Sequence, residues 1–154
     1  MICDCAFRRM KPLLVLVPAM LVSACSTPAP KVQLTLGTPI HDKEVPGLVD
    51  FPARLTNHSQ QPIWYKGNIV AWMPYYSAYT RSSPLSRWKP LPYAMCGVGA
   101  TDFEIAPSAS ALLVANAPLH DAGHEYRAQL SIHYKTSDGR TKWLLVRSPN
   151  TIIR

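Results

Sequence analysis

The sequence predicts an all-β domain, an antiparallel β-sandwich, and three observations carry that prediction. Apolar residues alternate with polar ones in short runs, and clusters of Pro, Gly, Asn and Asp separate the runs. Fifteen Pro stand against seven Gly in 154 residues, and an interior Pro costs a helix about 3 kcal/mol. No stretch keeps a 3.6-residue apolar period, and no internal repeat is visible. Four Trp, seven Tyr and 47% apolar residues are too much hydrophobic surface for a disordered chain. The length suits one domain.

The first residues predict a leader. Residues 1–11 hold Arg8, Arg9 and Lys11 against one acid, Asp4, and an apolar run follows from Pro12 to Val22. That run is short of the roughly 20 residues a membrane-spanning helix needs. A basic start, a short apolar stretch and a small-residue exit are the parts of a secretory signal. The exit, Val22-Ser23-Ala24-Cys25, resembles the lipobox of bacterial lipoproteins. The resemblance implies a lipid on the Cys25 thiol, cleavage just before it and, with Ser26 next, export to the periplasmic face of the outer membrane. Cys3 and Cys5 then leave with the signal, which removes any disulfide scaffold. The expected organisation is a signal peptide over 1–24, a lipidated Cys with a short tether over 25–30, and one sandwich domain over 31–154. From Cys25 onward, 13 Lys and Arg against eight Asp and Glu leave a net charge of +5.

Strands follow in order. Val32, Leu34 and Leu36 alternate with Gln33 and Thr35. Phe51, Ala53 and Leu55 alternate with Arg54 and Thr56 before a turn over 57–62, and Ile63 to Tyr65 restart an extended run that ends near Gly67. Phe103 to Ile105 and Ala111 to Ala115 are two further strands, separated by Pro107. The clearest element is a C-terminal hairpin. Tyr126, Ala128, Leu130, Ile132 and Tyr134 share one face, and Arg127, Gln129, Ser131, His133 and Lys135 share the other. Thr136-Ser137-Asp138-Gly139 supplies its turn, with Gly where a positive φ is needed. Trp143 to Val146 return as the partner strand.

Asp121-Ala122-Gly123-His124-Glu125-Tyr126 resembles the tyrosine corner of immunoglobulin-type sandwiches, in which a Tyr opening the penultimate strand bonds back to upstream backbone. The resemblance implies an Ig-like sandwich. Two residues depart from the pattern: an extra one precedes Tyr126, and Ala128 stands where antibody domains place a Cys. An antibody-type disulfide is therefore excluded.

Chemistry-bearing motifs are sparse. His120, His124 and Glu125, with Asp121, are the only His-carboxylate cluster suggesting a metal-dependent hydrolase, but Gly123 breaks the helical spacing such a site needs. No Gly-x-Ser-x-Gly elbow occurs. Cys96 has no local His, and Cys96-Gly97-Val98-Gly99 lacks the Lys and following helix of a phosphate loop. Asn57-His58-Ser59 matches a glycosylation sequon. No catalytic residue, resident metal or cofactor is expected.

The informative stretch is the middle. From Phe51 through Thr101 there is no Asp or Glu, while Arg54, Lys66, Arg81, Arg87 and Lys89 supply five cations. Trp64, Tyr65, Trp72, Tyr75, Tyr76, Tyr79, Trp88 and Tyr93 crowd the same stretch. Pro74, Pro84, Pro90 and Pro92 argue for loop or edge strand. Trp, Tyr and Arg are the side chains enriched at interface hot spots, and the export signal makes nucleic acid a poor partner. The sequence thus predicts a non-enzymatic, membrane-tethered binding module that docks an envelope or secreted protein through Tyr75, Tyr76, Tyr79, Arg81, Arg87 and Trp88. Its expected build resembles that of envelope inhibitors and immunity proteins, though no motif identifies such a family; a glycan or cell-wall ligand is the alternative. Charge reversal at Arg81 and Arg87 is expected to slow association while leaving folding nearly intact.

Overall fold

A computed structural model describes residues 27–41, 45–68, 73–92 and 99–154. The expected signal peptide and Cys25, together with Trp72, Tyr93 and Cys96, lie outside them. The elements are β1 (Val32–Leu36), β2 (Ile40–His41), β3 (Leu48–Asn57), β4 (Ile63–Gly67), β5 (Tyr76–Arg81), β6 (Lys89–Pro90), β7 (Thr101–Ile105), β8 (Ser110–Pro118), β9 (Glu125–Lys135), β10 (Thr141–Arg147) and β11 (Thr151–Ile152). One helical turn, Leu119–Asp121, precedes β9. Among the described residues no helix is long and apolar enough to cross a membrane.

Two antiparallel sheets face each other across one core. In sheet I, β3 is flanked by β8 on one side and by β1 and then β2 on the other. In sheet II, β9 lies between β10 with β11 on one side and β4 with β5 on the other; β7 pairs β4 and β6 pairs β5. The inward residues follow the alternation read from the sequence. Leu34, Phe51, Ala53, Leu55 and Leu113 meet Ile63, Tyr65, Ala128, Leu130, Ile132 and Tyr134 in the interior. Both faces of the two sheets therefore divide cleanly into core and solvent sides. The chain is an antiparallel β-sandwich.

The tyrosine corner is built as the sequence predicts. Tyr126 is fully buried, stacks flat on Phe51 of the opposite sheet at 4.5 Å, and donates its hydroxyl to the Asn116 carbonyl at 3.2 Å. Tyr76 completes the joint: its hydroxyl accepts the Asn116 N–H at 2.6 Å and donates to Asn116 Oδ1 at 2.7 Å. The backbone N–H and carbonyl of Asn116 in β8 are thus satisfied by two phenols from the other sheet. Removing the corner hydroxyl in Tyr126→Phe should lower stability by about 1 kcal/mol. A urea denaturation midpoint unchanged from wild type would show that the bond contributes nothing.

Two breaks in the ladder have local causes. Pro52 sits within β3, where a missing N–H would ordinarily cost a ladder bond. It falls in the gap between β1 and β2, and there Gly37 donates to the Pro52 carbonyl at 2.6 Å. On the other sheet, β4 stops at Gly67, which bridges Pro74, and the line beside β9 resumes at Tyr76. A Cβ on Gly67 would meet the Met73 carbonyl at 2.9 Å and the Phe103 ring at 3.1 Å, so the neck of this excursion requires glycine. The hairpin turn behaves as expected. Gly139 has φ +78, and the Thr136 hydroxyl bonded to the Asp138 carboxylate holds that acid below its usual pKa range.

The sequence reading is corrected at β5. Residues 76–81 form a strand in register with β9, from Tyr76 opposite Leu130 to Arg81 opposite Glu125, rather than loop or edge. Pro74 and Pro84 bracket a Pro-free stretch just long enough for the strand. Its inward residues, Tyr76, Ala78 and Thr80, include a small one and a hydroxyl that hide the apolar period.

Candidate binding face

The outer face of sheet II is assembled from the odd-numbered residues of β9 and their cross-strand neighbours. At the end nearest the β9–β10 turn, Trp64, His133 and Trp143 form an aromatic rung across three strands, with centroids at 5.8 and 4.7 Å. Trp143 is 56% exposed. The next rungs are short and polar. Ser77, Ser131 and Gln129 floor a groove of about 290 Å³, walled by Tyr75, Trp143 and Leu145, with Lys66 at its edge. Gln129 accepts from Arg147 Nε at 3.2 Å and donates to the Tyr79 hydroxyl at 3.0 Å, linking β10, β9 and β5.

The far end of the face is a cationic stack. The Arg127 guanidinium lies between the rings of Tyr79, at 5.3 Å, and Trp88, at 4.1 Å, and Arg81 lies over the same Trp88 ring at 4.6 Å. Each such contact contributes about 0.5–1 kcal/mol at an exposed site. Arg81 is fixed further by Glu125, at 2.6 Å, and by the Pro84 carbonyl, at 2.9 Å. Arg127 has no carboxylate partner among the described residues, and its Nε is buried without a hydrogen-bond acceptor there. Burial pushes its pKa below the ordinary guanidinium value, and the charges of Arg147 and Arg81 push the same way against an opposing contribution from Tyr79. It stays protonated at any physiological pH. Arg81 is neutralised by Glu125, so the stack keeps one fixed positive charge, that of Arg127, flattened between rings.

A short loop crowns this end. Ser86 N–H donates to the Ser83 carbonyl at 3.0 Å, and the Ser82 and Ser83 hydroxyls both meet that of Ser86. The loop so held presents Leu85 at 98% exposure, with exposed Arg87 beside it and Trp88 turning back onto the sheet.

Of the six residues expected to bind, five belong to this face. Tyr79, Arg81 and Trp88 form the stack, Arg87 stands exposed on the loop, and Tyr75 walls the groove. Tyr76 differs from them: it borders the groove, but it is buried and its hydroxyl is spent on Asn116 of the other sheet. Arg81 is not a free cation either. Reversing its charge would set two carboxylates together in a half-buried pair, so the expectation that folding survives that change is withdrawn. Sequence reading missed Arg127 and Gln129, which it had assigned only to the solvent side of the hairpin, and it missed Arg147 and Leu85 altogether.

The metal candidates are dispersed. Glu125 faces Arg81 and Asn150, while His124 and His120 approach Asp121, at 3.3 and 3.9 Å. Among the described residues no group of three His, Cys, Asp or Glu is placed to hold a metal ion. The sequon is occupied structurally. Asn57 is fully buried, and its side chain bonds Ser59, Gln61, Ile105 and Ala106. A roomier cleft, of about 480 Å³, lies between the β1–β2 kink and β11, but among the described residues Arg154 is the only charged or aromatic side chain lining it.

No protein-family model matches the chain, and no curated protein matches it significantly in sequence.

Proposed function

We propose that this chain is a non-enzymatic binding module, anchored to the envelope through lipid on Cys25, that docks an acidic protein on the outer face of sheet II. The observation that carries the reading is the Tyr79–Arg127–Trp88–Arg81 stack. Rings and guanidinium groups locked face to face are preorganised, so little side-chain entropy is lost when a partner covers them. Leu85 supplies an apolar anchor beside the charge, and Arg87 with Lys89 supplies the long-range attraction for carboxylates. An envelope protein or a secreted hydrolase that the module neutralises fits this chemistry.

Photo-crosslinking in intact cells tests it. A photoreactive residue at position 87 should trap a protein, and one at position 112, on the outer face of sheet I, should not. Leu112 is 67% exposed and Arg87 is exposed too, so both positions are open to solvent. Adducts from 112 alone, or from neither position, would defeat the reading; adducts to cell-wall glycan from 87 would replace the protein with a saccharide.

A further inference from the structure

The segment between the lipid attachment residue and the domain is fixed to the sandwich rather than free of it. The Thr27 hydroxyl donates to the Ser137 hydroxyl at 2.8 Å and accepts the Ser137 N–H at 2.8 Å. Pro28 accepts from Gln61, Pro30 is buried, and the Lys31 carbonyl accepts from His58 N–H at 2.8 Å. These contacts run along one end of the molecule, where the β3–β4 turn and the β9–β10 turn lie. Only Ser26 separates Thr27 from Cys25. Two residues of extended chain reach about 7 Å.

That end is basic. Lys31, Lys135 and Lys142 are exposed and, among the described residues, have no carboxylate within salt-bridge distance, although the Lys142 charge acts on Asp138 from farther away. Asp138 is the one acid of the turn, and Arg140 pairs it at 3.2 Å. The cationic stack is at the opposite end, because Arg81 lies beside Glu125, the first residue of β9, and Lys135 is the last. A strand of this length separates the two ends by about 30 Å.

We infer that the end carrying the β9–β10 turn rests on the bilayer, with Lys31, Lys135 and Lys142 on the phosphates of anionic phospholipid, and that the stack is thereby held outward. The inference rests on the reading of Cys25 as the lipid anchor. Thr27 and Ser137 act as the clamp: a lipid two residues away cannot leave the turn free to point elsewhere while both hydrogen bonds hold. Each lysine near an anionic surface contributes about a fivefold preference for it.

Amine-reactive footprinting of the full-length, processed lipoprotein in vesicles tests the orientation. Flotation first establishes anchoring. In vesicles rich in phosphatidylglycerol, labelling of Lys31, Lys135 and Lys142 should slow about fivefold relative to Lys89 at the other end, and high salt should restore it. Vesicles of phosphatidylcholine should give much weaker protection. The double variant Thr27→Val with Ser137→Ala should still float but lose the contrast between the two ends. Protein that does not float overturns the Cys25 reading and this inference with it. Protein that floats with the three lysines labelled as fast as Lys89 overturns the orientation alone. Protection of Lys89 instead would place the stack on the membrane and contradict both the orientation and the protein partner.

Discussion

Asn57→Asp should unfold the domain at neutral pH or bring it close to unfolding. The Asn57 side chain is fully buried at the end of β3 and joins three segments. Its Nδ2 donates to the carbonyls of Gln61, Ile105 and Ala106, at 2.8, 3.1 and 3.2 Å, while Oδ1 accepts from the Ser59 N–H and hydroxyl, at 3.0 and 2.6 Å. Aspartate keeps the accepting half and turns the donating half into a carboxylate oxygen facing carbonyls. Lost donors cost about 1–3 kcal/mol each when buried, and an unpaired buried charge costs more. A total of about 4 kcal/mol or more is comparable with the whole stability of a small domain. The pH sign is definite. Burial against carbonyls raises the new carboxyl's folded pKa above its unfolded value of about 4. The neutral form is therefore the tolerated one, and the penalty grows as pH rises through the folded pKa. Asn57→Ala, which brings no charge, should cost about 2–3 kcal/mol without that pH dependence. Urea denaturation of both variants across the acid range checks this, and matching pH profiles would show that the donor pattern is not the cause.

What could be read from the sequence depended on whether the signal was local. The β9–β10 hairpin was legible because its alternation runs unbroken from Tyr126 to Lys135 and its turn contains Asp138-Gly139. The corner was legible because Asp, Gly and Tyr fall within six residues. Strand β5 was not, since flanking prolines and the small inward Ala78 mask its period. Losing β5 loses the parity of Tyr76 and Tyr79, and that parity decides which tyrosine is core. The stack was only half visible for a different reason. Tyr79 and Arg127 are register partners nearly fifty residues apart in the chain, and composition carries no information about such a pairing. The stretch free of acids pointed to the right face but left out the β9 and β10 residues that complete it.

Trp88→Ala should weaken the partner by about 2 kcal/mol, roughly thirtyfold. The indole covers two guanidinium groups at once, Arg127 at 4.1 Å and Arg81 at 4.6 Å. Without it Arg127 keeps only Tyr79, and the loop carrying Leu85 loses the ring that turns it back onto the sheet. Folding should survive, because the core of both sheets is untouched and Arg81 keeps Glu125. Charge reversal at exposed Arg87 and Lys89 should act differently, slowing association and flattening its salt dependence with less effect on dissociation. That contrast separates an anchoring ring from steering charges.

The most direct test of the account is a binding titration of the protein trapped from position 87 against three forms of the chain: wild type, Trp88→Ala, and Leu112→Ser on the opposite sheet. The account predicts a loss of about thirtyfold for Trp88→Ala and wild-type affinity for Leu112→Ser. Wild-type affinity for Trp88→Ala, with the loss falling on Leu112→Ser, would contradict it and move the interface to sheet I.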